Sequence, residues 1–163
     1  MHATMHAPLA LLFFPACTPV DFDERLTERV ACTDLTFWAG EPGETMALEW
    51  NSTGQVEEAA AAGEQLTWDF ALPAGGVTLH LDRGSHLQSP CSGLLEGLPV
   101  VRTTAVATAG SAELTIEPVS CAGNDGQACG TGSLTLTDVV LDDGEELSSF
   151  AWAGETVGRI PGG

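Results

Sequence analysis

Lysine and tyrosine are absent from this chain, and isoleucine and asparagine occur only twice each. Five arginines stand against 23 acidic residues, for a formal net charge of -18. Binding a phosphate backbone needs clustered Lys and Arg, so nucleic acid is not an expected partner. No apolar run approaches the roughly 20 residues of a membrane-spanning helix. The cysteines lack the close C-x-x-C pairs of a zinc ribbon, and no G-x-S-x-G elbow accompanies any serine. What is present is 44% hydrophobic content, enough for a packed core, and acidity that keeps an exposed domain soluble.

The amino-terminal stretch has its own character. Leu9-Ala10-Leu11-Leu12-Phe13-Phe14 is charge-free and apolar, six residues that come close to the lower end of the about 7 to 15 found in signal-peptide cores. It leads into Pro15-Ala16-Cys17. A small residue followed directly by cysteine after such a core, here Phe14-Pro15-Ala16-Cys17, resembles the lipobox of bacterial lipoproteins. The resemblance implies a signal peptide over residues 1–16, cleavage before Cys17, and lipid on the Cys17 sulfur and its new amino terminus. It further implies a membrane partner through the lipid anchor, with Thr18 in place of Asp pointing to the outer membrane or cell surface. Cysteine arithmetic agrees with this: of five cysteines, Cys17 goes to lipid, leaving the even set Cys32, Cys91, Cys121 and Cys129. Disulfides suit an oxidising compartment better than a zinc site with these spacings. Four cysteines allow three pairings, and Cys32–Cys91 with Cys121–Cys129 is the favoured one.

Residues 17–31 read as a tether with a short helix, because Asp21 and Glu24 have capping-box spacing and Phe22, Leu26 and Val30 recur every four residues. Residues 32–163 read as one domain. There the period becomes two: Met46, Leu48 and Trp50 alternate with polar or small neighbours, as do Leu66, Trp68, Phe70 and Leu72, and Val77, Leu79 and Leu81. Further strands are expected at 35–38, 100–108, 114–119, 133–141 and 149–152. Seven or eight short strands with turn residues between them predict an all-β, antiparallel β-sandwich, immunoglobulin-like or of another topology. Hairpins are expected at Pro73-Ala74-Gly75-Gly76 and at Ala109-Gly110. One short crossover helix is expected through Val56 to Ala62, capped by Ser52 and Gln55 and stopped at Gly63. The loops 83–99 and 121–129 are the places to look for function.

Three clusters carry chemistry. His80 and Asp82 share an outward strand face with His86 just beyond, a weak transition-metal candidate because a fourth ligand is missing. Asp142, Asp143 and Glu145, with Asp138 and Glu146 nearby, concentrate carboxylates that suit calcium, although the EF-hand order is absent. Trp38, Trp50, Trp68 and Trp152 offer stacking surfaces for a glycan, but Trp50 and Trp68 alternate in phase with core residues. Asn51-Ser52-Thr53 fits the N-glycosylation pattern. The expectation is therefore a non-catalytic envelope lipoprotein, a binding or structural module for an envelope protein or glycan, without a cofactor. The alternatives are a metal-dependent or hydrolytic secreted enzyme and a calcium-stabilised adhesion domain.

Overall fold

The computed structural model describes residues 21–33, 35–91, 97–120 and 128–158. The expected antiparallel all-β fold with a short crossover helix is what these residues form. Strands β1 (Glu28–Cys32), β2 (Thr36–Gly40) and β3 (Met46–Asn51) are followed by helix α2 (Gln55–Ala62). Then come β4 (Leu66–Ala71), β5 (Thr78–Ser85), β6 (Val100–Val119), β7 (Cys129–Leu141) and β8 (Glu146–Gly158); a single turn, α1 (Phe22–Arg25), precedes β1. All eight strands are linked by hydrogen bonds in the order β1-β2-β3-β5-β6-β7-β8, with β4 also on β6. Every pairing is antiparallel.

The curl of that sheet is written into burial parity. Along β6 the inward residues are Ala105 and Ala107, then Ala112, Leu114 and Ile116. The step from 107 to 112 is odd, so the strand must absorb an extra residue to keep both halves facing the core. β7 does the same between Leu136 and Val139, and β8 between Leu147 and Phe150. The pairing registers of β6 with β7 shift at this level, and Asp138 takes φ +50° and Gly110 φ +119°. The hairpin expected at Ala109-Gly110 is thus a bulge inside one 20-residue strand. A Cβ at Gly110 would lie 2.6 Å from Val139 Cα, so the bend brings the two backbones into direct contact there.

The bend lets the sheet's two ends meet. Gly158 N–H donates to Thr33 O at 2.9 Å, bridging β8 to the end of β1. Arg29 of β1 donates to Ala151 O at 2.6 Å, lies 4.3 Å over the Phe150 ring and pairs with Asp23 at 2.8 Å. Trp152 Nε1 donates to Trp38 O at 2.9 Å, and its ring contacts Phe37 and Phe150. The seam is closed by side chains rather than by a full ladder.

Three expectations change with this architecture. First, the domain takes in the chain from Asp21: Asp21 caps α1 through its carboxylate, Phe22 and Leu26 are buried in the core, and Val30 sits in a strand, not a helix. Only one turn of helix forms because β1 gains a full ladder with β2, which a two-turn isolated helix lacks. Second, the strands flanking Pro73–Gly76 do not form a hairpin. β4 pairs with residues 111–116 of β6 and β5 with residues 100–106, so they lie end to end along one edge of β6, one on each side of its bend. Third, Gly54 and not Ser52 is the N-cap of α2; Ser52 is buried, with its hydroxyl near Trp50 Nε1 at 3.4 Å. The helix stops at Gly63 as expected and packs Val56 and Ala59 inward.

Candidate functional site

The outer face of the β1-β2-β3-β5-β6 half can be read row by row from the register. One row runs Val30, Trp38, Glu49, His80, Val106; the next runs Gly40, Ala47, Asp82, Thr104. At the β1–β2 end this face is covered. The chain after β5 folds back over it, burying Trp38, Ala47 and Leu87 in a second small cluster. Leu87 N–H donates to Glu44 O at 3.0 Å, Gln88 Nε2 to the Glu44 carboxylate at 2.9 Å, and Cys91 is disulfide-bonded to Cys32 with the Cα atoms 5.5 Å apart. The loop is fastened to the end of β1 by the disulfide and to the β2–β3 turn by the hydrogen bonds to Glu44.

At the β5–β6 end the face is open. There the connector after β4 crosses to β5, pinned where Leu72 N–H donates to Gly110 O at 2.9 Å. Between this connector and the bend of β6 lies a groove of about 470 Å³. Leu72, Pro73, Val77, Leu79, Val106 and Ala107 supply its apolar walls, and His80, Asp82 and Thr104 its polar end. Its volume falls in the roughly 300–1,000 Å³ range of small-ligand sites, and its mix of apolar walls with a few convergent polar groups is typical of them. The Thr104 hydroxyl donates to Asp82 Oδ1 at 2.6 Å, and His80 Nε2 lies 3.6 Å from Asp82 Oδ2. Both side chains of the His–Asp pair are about one-fifth exposed, at 23% and 20%.

The other predicted residues go elsewhere. His86 does not join His80 and Asp82: its φ of +56° turns the chain into the covering loop, and its ring stands 3.6 Å from Glu44. The acidic turn after Leu141 is occupied by its own partners. Arg83 shares parity with Leu79 and Leu81 at the end of β5, and its guanidinium pairs with Asp143 at 3.0 Å and with Glu145. Asp142 accepts from Val106 N–H at 3.0 Å, and Asp143 from Glu145 N–H at 3.1 Å. Among the described residues, no three His, Cys, Asp or Glu side chains converge as a metal-binding group. Asp138 and Glu146 line a second groove of about 460 Å³ with Asp21. Trp50 and Trp152 are fully buried, Trp68 is half-buried against the core, and Trp38 belongs to the covered cluster. Cys129 is disulfide-bonded, while Cys121 and Cys17 lie outside the described residues.

Among the described residues, Glu41 and Glu155 have displaced titration. Hydrogen bonds from Thr45 and Arg25, followed by the arginine's charge, hold Glu41 below the usual carboxylate range against a modest burial penalty. Burial pushes Glu155 up, with Arg29 opposing it. The sequence placed His80 beside Asp82 but missed Thr104 and Val106. The signal available was parity: an outward-facing valine at 106, in phase with Thr104, marks an apolar spot on a polar face. No protein-family model, curated protein or solved structure matches this chain.

Proposed function

We propose that this chain is a non-catalytic binding module of the cell envelope, exported and held by lipid at Cys17 in the outer membrane or at the cell surface. The observation that carries this reading is the Cys32–Cys91 disulfide, which fastens the covering loop to β1. Such bonds persist in oxidising compartments outside the cytosol. Together with the lipobox-like Phe14-Pro15-Ala16-Cys17, it supports export followed by anchoring. The open groove beside His80 supports a role in holding a ligand rather than a purely structural one.

The test is the mass of the mature amino-terminal peptide from a native membrane fraction, beside a Cys17→Ser variant. An acylated cysteine that disappears in the variant, with the variant protein released from membranes, supports the anchor. A peptide beginning elsewhere, or an unmodified Cys17, removes it.

A further inference from the structure

We propose that the groove between the β4–β5 connector and the bend of β6 is a binding site for a hydrophobic cation, an aliphatic body carrying an ammonium-type head, with the head on Asp82. The proposal rests on the reading of this domain as a binding module and not on its lipid anchor.

The argument begins with the carboxylate. Asp82 is four-fifths buried at the polar end of the groove, where a charge is more effective than on an open surface. Its Oδ1 accepts the Thr104 hydroxyl, while among the described residues the ionisable group facing Oδ2 is the imidazole of His80, at 3.6 Å and beyond hydrogen-bond distance. The chain has no lysine, and three of its arginines are engaged elsewhere: Arg25 with Glu41, Arg29 with Asp23, and Arg83 with Asp143 and Glu145. Arg102 has no carboxylate partner among the described residues and is two positions from Thr104, but it does not line the groove. Among the described residues, then, no hydrogen-bond donor sits on Oδ2, which leaves it to accept an N–H from a ligand, and charge-assisted bonds of this kind are stronger than neutral ones.

The surroundings favour the same sign. Glu49 of β3 lies directly across from His80 in the same outward row. The whole chain carries -18, a field that attracts cations and repels anions. The other half of the ligand is set by the walls: Pro73, Val77 and Val106 line the groove together with Asp82, and Val106 is 45% exposed. An exposed valine beside an apolar connector gains from an aliphatic cover at about 0.8 kcal/mol per buried methylene, which converts to about fourfold in affinity for each.

The experiment is calorimetric titration of the exported full chain carrying Cys17→Ser, which keeps the domain whole and removes acyl chains that would compete for the groove. The probes are hexyl-, octyl- and decylammonium, each below its aggregation concentration, with methylammonium, decanol and decyl sulfate alongside. Decylammonium should bind saturably at one site, with affinity rising by up to about fourfold per methylene along the series. Methylammonium and decyl sulfate should bind at least tenfold more weakly. Asp82→Asn keeps an oxygen for Thr104 and should weaken decylammonium at least tenfold while leaving decanol unchanged; Val106→Gln, at a partly exposed position, should weaken decylammonium and decanol alike. Absence of saturable binding, decyl sulfate binding as tightly as decylammonium, or decylammonium binding indifferent to both substitutions overturns the proposal. Because the anchor is judged separately from the amino-terminal peptide mass, failure at the groove and failure at Cys17 are told apart.

Discussion

Gly110→Ala is the sharpest test of the bent sheet. At φ +119° an alanine is placed in backbone territory that L-residues rarely enter, at a cost of about 1–3 kcal/mol. Its Cβ would lie 2.6 Å from Val139 Cα and 2.9 Å from Asp138 O, backbone atoms that move only if β7 moves with them. Overpacking of this kind costs about 1–3 kcal/mol more. The sum, about 2–6 kcal/mol, is a large share of the 5–15 kcal/mol that holds a typical domain together. Gly144→Ala is the matched control, since it has φ +88° but nothing within 4 Å, so it carries backbone strain without the collision. Urea unfolding followed by tryptophan emission reads both variants. With an m-value of about 1–3 kcal/mol/M, Gly110→Ala should lower the midpoint by roughly 1–3 M, clearly more than Gly144→Ala does. Equal losses in the two variants, or a loss below about 1 kcal/mol at Gly110, would refute the claim that β6 and β7 bend in contact at this point.

Two further outcomes follow from the same geometry. Cys32 and Cys91 are 59 residues apart, so in the chain-entropy model replacing both by serine should cost about 4 kcal/mol. That should lower Tm by on the order of 10–15 °C in calorimetry; a loss under about 1 kcal/mol would mean that Leu87 on Trp38 holds the loop without the bond. Glu41 has its carboxyl lowered by Thr45 and Arg25, so its ionised form stabilises the fold above the ordinary value of 4.5, and that contribution is lost as pH falls through the lowered folded value. Glu41→Gln should therefore be less stable than the parent at pH 7, with the gap closing below about pH 4.5; a gap that stays constant down to pH 2 would contradict the assignment.

Much of this could be read without coordinates because a strand with one buried face must alternate. The period of two identified β3 and β4 almost to the residue, named Trp50, Leu48, Leu79 and Leu81 as core, and put His80 beside Asp82 on the opposite face, while the expected strands at 35–38 and 77–82 stopped short of Ala39–Gly40 and Arg83–Ser85. The cysteine count singled out an even set of four, of which Cys32 and Cys91 are bonded as favoured. The alternation is a local property, fixed by which neighbours a residue has in the chain.

What tertiary structure decided was where the alternation is allowed to slip. Ala109-Gly110 has the chemistry of a hairpin turn and of a bulge alike, and only the partner strand β7, shifting its own register at Asp138, selects the bulge. Phe22, Leu26 and Val30 are spaced for a helix, yet the ladder between β1 and β2 outweighs that local preference. The carboxylates after Leu141 look like a cation site until Arg83, some sixty residues earlier, is placed across from them. The groove exists for the same reason: its walls come from the ends of β4 and β5 and the bend of β6, and distant segments meet only once the sheet has curled.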